Sequence, residues 1–451
     1  MALLISFGFL ISILVSFLYY GKSWSSTQTN FLYADRSLQV LSTGLAINSH
    51  WFWAIAMFVA PAVAYNWGIL GLLYFVIPNA LSLLVVATLT HKLRDSYPNG
   101  YSLTEYIKDN FSNRVSILYQ IIFAGISLMG ILLGFTAITK FFSFSELGEI
   151  IDPIYASLIV GLITLAFTIR GGIRTSIYTG VIQTVLWAMF IGSMVFFMMD
   201  NNVFTLGKNN LTTIIDEKFL TTFGIAYIVT TLVGASNHGM MWQKAFSMPK
   251  ENIFPGFGLA ALIFFLVVMG LGSFGLYAQA TGLEVNAADL SSLIGIMNLY
   301  GPVAITIFGV LLIGQTSTVI DSCMNYISSL ISREWVKTDN TLIPRIVMVV
   351  FFVLAWVISW LKVEVWTIYM LMGAARISMF LPLVLQVYQI KLTESIVFYS
   401  SIVAISGSVY LSYLARELKD PHYDMYSILF GLSVAAISCF VAKLSYGVKS
   451  C

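Results

Sequence analysis

The feature that most constrains this chain is a succession of apolar segments, each about long enough to cross a bilayer as a helix. A hydrocarbon core about 30 Å thick takes roughly 20 apolar residues in α-helix. The sequence offers thirteen such segments. The first seven are Ala2–Tyr20, Val40–Ala60, Gly68–Thr90, Ser116–Thr139, Ile154–Ile169, Ser176–Met199 and Leu220–Met240. Six more follow at Pro255–Ala278, Val303–Leu330, Ile346–Leu361, Val365–Val387, Ile396–Ala415 and Met425–Ala442. The expected fold is an all-α integral membrane protein of 13 transmembrane helices, with the lipid bilayer as its solvent. Only 10% of the residues are charged, against roughly 25% in soluble proteins. Ala2–Tyr20 has no basic flank before it and no small-residue cleavage site after it, so it reads as a retained helix.

Charge placement tests the count. With the N-terminus outside, the inside segments hold 16 of the 23 Lys and Arg and the outside segments 6, with Arg376 inside a helix. A missed or invented helix would scramble that asymmetry, so the positive-inside rule supports both the count and a cytoplasmic C-terminus. The connecting loops are short: the longest are His91–Val115 inside and Asp200–Phe219 outside. The chain 1–451 is expected to be one membrane domain, placed in the plasma membrane. A net charge of +2 gives no reason to expect nucleic acid as a partner. Cys323, Cys439 and Cys451 lack metal-ligand spacing, and no nucleophile–base pair or phosphate loop points to an enzyme.

Ionisable groups at bilayer depth are costly, which makes each a functional candidate. There are four: His50, His238, Asp321 and Arg376. The histidines could equally bond a neighbouring helix, and Arg376 could snorkel or lie at a break near Gly373. In Gly314-Gln315-Thr316-Ser317-Thr318-Val319-Ile320-Asp321, the carboxylate follows both hydroxyls by one helical turn. One face thus presents three hard oxygens, a set that suits a small hard cation; plain helix packing through Ser and Thr is the alternative. Polar and aromatic residues also mix at Asn48-Ser49-His50-Trp51-Phe52-Trp53, a composition found where interrupted helices offer free carbonyls to ions.

At these residues the chain resembles the sodium/solute symporter family, whose LeuT-like fold is built of inverted repeats. Leu41-Ser42-Thr43-Gly44 through Pro61 to Gly68 is similar to the family's first core helix. Arg170-Gly171-Gly172 with Tyr178-Thr179-Gly180-Val181-Ile182-Gln183, Trp242-Gln243-Lys244, and Gly314 with Ser317-Thr318 resemble three further motifs. The resemblance implies an extra first helix (2–20), inverted five-helix repeats over 40–199 and 220–387, and two C-terminal helices (396–442). It implies a symporter with Na+ as coupling ion and a small organic solute as cargo, without an obligatory protein partner. The sodium ligands it implies are the carbonyls of Ser49, Phe52 and Gly314 and the hydroxyls of Ser317 and Thr318. His50, Trp51, Trp53 and His238 are implied to line the substrate site.

This chain departs from the family pattern at two places. Gly180 stands where the family has Asp, and Asp321 lies a turn below Thr318; the charge is read as moved to the neighbouring helix, on the sodium exit path or at a second cation. Arg376 or Arg174 would be its partner if it were instead a plain ion pair. Apolar Ala56 and Phe75 fall where sugar-reading residues stand, which argues against a sugar. The tryptophans around Ser49–Ala54 and Val63–Gly68 look most like the urea-transporting branch. A sodium-independent facilitator and a transporter-like sensor remain as alternatives.

Overall fold

Hydrocarbon offers backbone N–H and C=O groups no partner, so a chain this apolar must satisfy them within helices. The computed structural model describes residues 27–144, 151–200, 225–282, 302–361, 365–420 and 422–449, and among these there is no strand. The short α1 (Gln28–Tyr33) precedes α2 (Val40–Trp51) and α3 (Ala54–Ser96). Next come α4 (Leu103–Asn110), α5 (Asn113–Phe144) and α6 (Pro153–Asp200). The second half holds α7 (Ile225–Leu232), α8 (Gly239–Phe246), α9 (Lys250–Thr281) and α10 (Pro302–Leu330). Finally come α11 (Leu342–Ser359), α12 (Val365–Val387), α13 (Glu394–Glu417) and α14 (His422–Lys449). Among the described residues eight helices are long and apolar enough to cross a membrane.

Twelve of the thirteen expected segments overlie described helices; Ala2–Tyr20 lies outside the described residues. Two corrections concern continuity. Val40–Ala60 is not one helix: it stops at Trp51, Phe52 (φ −79°, ψ 72°) and Trp53 (φ −73°, ψ 163°) run non-helically, and a new helix starts at Ala54. Leu220–Met240, described from Ile225, is also broken. After Leu232 come a single 3-10 turn at Ala235–Asn237 and an extended His238 (φ −105°, ψ 110°) before α8. Conversely, four expected segments are joined in pairs. Gly68 (φ 64°) links two within α3, and Gly172 (φ 59°) links two within α6. Both take the left-handed backbone that glycine adopts without steric cost.

α9 packs along α3, and α10 packs between α5 and α6. α2 lies against α6 and α9. The segments that charge assigned to the inside meet one another. Arg36 donates to the carbonyls of Pro98 (2.9 Å) and Asn99 (2.8 Å), Gln243 to Leu32 O (2.9 Å) and Arg345 to Ile169 O (3.1 Å), while Lys250 pairs with Asp95. Arg174 reaches Asn30 (2.9 Å) and the Ala34 carbonyl (3.2 Å), which ties α1 across the kink of α6.

Gly172 is the joint of that arrangement. A Cβ there would lie 2.2 Å from the Phe31 carbonyl oxygen, on backbone that L side chains rarely adopt. Gly172→Ala is expected to cost at least about 2 kcal/mol and to lower the thermal midpoint in detergent. Gly125→Ala, with nothing within 4 Å of its Cβ, is the control and should leave the midpoint level or higher. Equal midpoints for both variants would show that the kink is not strained by a side chain.

Candidate functional site

The end of a helix leaves its last carbonyls without intrahelical partners, and the break after α2 does so deep in the protein. Each carbonyl there has a traceable fate. Asn48 O accepts from Phe52 N (2.8 Å), His50 O from the Trp53 indole (2.6 Å) and Trp51 O from Trp53 N (3.0 Å). The two left, Ser49 O and Phe52 O, both accept from one group, the side-chain amide of Gln315 on α10, the latter at 2.9 Å. Ser49 Oγ in turn donates to Gln315 Oε1 at 3.2 Å.

Of the five expected sodium ligands, Ser49 and Phe52 therefore converge on α10 through Gln315. On α10 itself Ser317 Oγ donates to Ile313 O (2.9 Å) and Thr318 Oγ1 to Gly314 O (3.0 Å). These are turn-back bonds within the helix, so both hydroxyls keep lone pairs to offer. Ser49 and Phe52 belong to the break after α2 and Gly314, Ser317 and Thr318 to α10, which packs against both α2 and α6. Gly314 lets Gln183 of α6 approach: a Cβ there would fall 2.0 Å from Gln183 Nε2 and displace that amide.

One turn further along α10, Asp321 is fully buried in a hydroxyl cage. Ser176 Oγ lies 2.5 Å from its Oδ1, Thr179 Oγ1 3.1 Å from Oδ2 and Ser322 Oγ 3.2 Å from Oδ1. His50 Nε2 is 3.0 Å from Ser176 Oγ and 3.8 Å from Asp321 Oδ1. Ser176 has one proton and directs it to the carboxylate, so His50 Nε2 carries the hydrogen that bonds Ser176. Lys244, 1% exposed, donates from Nζ to Ser322 Oγ at 3.2 Å. The ammonium is thus one hydroxyl away from the carboxylate.

That arrangement corrects two expectations. Neither Arg174 nor Arg376 is among the groups bonded to Asp321: Arg174 bonds α1 and Ser37, and Arg376 reaches His238. The nearby cation is Lys244, which the sequence places with the inside loops and which packing instead buries. Asp321 also lands on the helix that carries Gly180, through Ser176 and Thr179. A side chain at Gly180 would be tightly packed, its Cβ 3.0 Å from both Ala46 Cα and His50 Cε1.

A narrow cavity opens on the other side of the break. Trp51, Trp53 and Ala56 line one wall, Phe75 and Asn79 of α3 another. Tyr227, Thr231 and His238 face them from the second broken segment, with Phe264 and Arg376 closing the space. The rings of Trp51 and Trp53 meet His238 edge-on, at centroid distances of 5.4 and 4.8 Å. Arg376 Nη2 is 2.5 Å from His238 Nε2. A guanidinium only donates, so that nitrogen accepts and the ring proton sits on Nδ1. Of the expected lining residues, Trp51, Trp53 and His238 are present; His50 points the other way, to Asp321. The tryptophans offer faces, because their N–H groups are bonded to the carbonyls of Asn79 (3.0 Å) and His50 (2.6 Å).

Sequence reasoning missed Gln315, Lys244, Asn79, Tyr227 and Thr231. Gln315 and Lys244 sit inside motifs that drew attention to their neighbours; a polar amide and an ammonium on buried helix faces were the available signals. Asn79, Tyr227 and Thr231 come to the cavity through the packing of α7 on α3, a tertiary contact.

A scan against family models finds no match, and no curated protein matches the sequence. Solved structures do match in fold. A Na+-coupled sialic acid symporter in a substrate-bound, outward-open state has a TM-score of 0.74 at 16% identity, covering 97% of each chain. Mhp1, a nucleobase-cation-symport-1 family transporter, closed around bromovinylhydantoin, gives 0.57 at 14% identity over 92% of this chain and 95% of that one. A manganese transporter of Eremococcus coleocola gives 0.60 at 12% identity over 92% and 95%. The fold is therefore the LeuT-like fold of these transporters.

The Lys244–Asp321 arrangement yields a stability test. Removing one member of a buried charge pair leaves the other uncompensated, at about 3–5 kcal/mol. Lys244→Met and Asp321→Asn should each lower the thermal midpoint, and the double variant should be more stable than the sum of the two losses implies. Strict additivity would show that Lys244 is not the charge that balances Asp321.

Proposed function

We propose that this chain is a sodium-coupled secondary symporter that carries a small organic solute inward across the plasma membrane by alternating access. The observation that carries the reading is the pair of broken helices. Residues of both breaks, Trp53 and His238, line the same cavity, and the first break also turns two carbonyls toward Gln315 of α10. Broken helices supply ion and substrate ligands at mid-membrane without losing backbone pairing elsewhere. The fold shared with other transporters supports this. On this reading the breaks are equivalent positions in two inverted repeats, 40–199 and 220–387, and the knitted basic end faces the cytoplasm.

Sodium is assigned to the carbonyls of Ser49, Phe52 and Gly314 and the hydroxyls of Ser317 and Thr318. Ser317→Ala and Thr318→Ala each remove one oxygen and should raise the half-saturating sodium concentration by roughly 5- to 150-fold. Unchanged sodium dependence in both variants would sink the assignment. Asp321 then stands on the inward exit path, or at a second cation position, with Lys244 as the rival partner for its charge.

The solute is read from the cavity. Two indole faces and Phe75 suit a small, flat molecule, and Arg376 suits one with a hydrogen-bond acceptor. Apolar Ala56 and Phe75 argue against a sugar; a urea-like or other small polar solute fits better. His238→Ala should weaken solute affinity more than sodium affinity, and an equal effect on both would mark the histidine as structural. A sodium-independent facilitator is the second reading, favoured by the Gln315 amide bonded to the break carbonyls. Uptake into proteoliposomes of labelled urea, amino acids, polyamines and carboxylates separates the two. Accumulation of one solute only under a sodium gradient is the expected result, and sodium-blind equilibration establishes the facilitator.

A further inference from the structure

Gln315 lies in none of the roles assigned above, yet it makes the contacts that matter most at the break. Its amide NH2 has two hydrogens, and they go to Ser49 O and Phe52 O; its Oε1 accepts from Ser49 Oγ. The side chain is wholly buried. An amide NH2 carries partial positive charge and no lone pair to share, so at these two carbonyls it acts as a cation would and cannot itself coordinate one. Without it, two carbonyls in the protein interior would be left unpaired, which costs about as much as the lost hydrogen bonds.

We infer that Gln315 is a tethered competitor of the coupling ion: its amide caps the break carbonyls in the ion-free carrier and must swing away before sodium binds there. This rests on the symporter reading. It adds that the residue sets ion affinity by opposing it, because the apparent affinity is scaled down by the fraction of carriers whose carbonyls are uncapped. The cap also keeps the broken helix satisfied while the carrier returns empty.

The test uses full-length protein in detergent and reads sodium-dependent thermal stabilisation, with potassium at equal ionic strength as the blank. Gln315→Leu removes the donors, and Gln315→Glu keeps the size while replacing the NH2 by an oxygen. The half-saturating sodium concentration should fall about tenfold in Gln315→Leu, the scale of two lost hydrogen bonds, and further in Gln315→Glu. If Gln315→Leu does not fold, the isosteric Gln315→Glu decides alone. A sodium response in the natural protein that is unchanged or weakened in the variants overturns the inference and leaves the symporter reading standing. Sodium-blind behaviour in all three overturns both. A sodium-blind natural protein whose variants respond upholds the competitor and shows that it holds the site against sodium outright.

Discussion

Everything particular to this molecule follows from the rule that a carbonyl inside a membrane protein must be paired. A continuous helix meets the rule by itself and so can bind nothing through its backbone. At Phe52–Trp53 the helix stops, and the carbonyls it frees are taken one by one by Phe52 N, Trp53 N, the Trp53 indole and the Gln315 amide. The two held by Gln315 are the ones a side chain from another helix can release. The break therefore leaves two backbone carbonyls held by a side chain of α10 rather than by the helix they end. The second break, at Val233–His238, gives the cavity its other wall, and the histidine there couples the indoles of Trp51 and Trp53 to Arg376.

Charge is handled with the same economy. Asp321, Lys244 and Arg376 are 0%, 1% and 3% exposed, and none stands in bare hydrocarbon. The carboxylate has three hydroxyls around it, the ammonium shares Ser322 with it, and the guanidinium donates to a neutral imidazole. Ser322 acts as a spacer between the ammonium of Lys244 and the carboxylate of Asp321. Such an arrangement is less committed than a salt bridge, and a small displacement of α8 against α10 changes it.

The long apolar helices were legible in the sequence because bilayer thickness fixes their length: the ends expected for Val303–Leu330, Val365–Val387 and Ile396–Ala415 fall within about two residues of those observed, whereas the broken and the fused segments do not keep their expected ends. The polar-aromatic cluster Asn48–Trp53 likewise marked the first break, because hydrocarbon tolerates such residues only where the backbone has other work. The second break was not read. Val229 to Met240 is apolar enough to pass for a helix, and the cue in Gly234, Ser236, Asn237 and His238 is composition without period. Nor were the partners of Asp321 legible: Arg174 and Arg376 were the expected arginines, whereas the packing of α8 on α10 brings Lys244 to within one hydroxyl of it. The kinks at Gly68 and Gly172 appear in sequence only as glycines between apolar runs.

The central claim is that a sodium ion binds where the first break meets α10. Hydrogen exchange of the protein in nanodiscs tests it most directly, comparing sodium chloride with potassium chloride at equal concentration. The account predicts slower exchange in sodium confined to peptides covering residues 48–57 and 312–322, since an ion held there fixes both segments at once. Exchange that is the same in the two salts across both segments would contradict it.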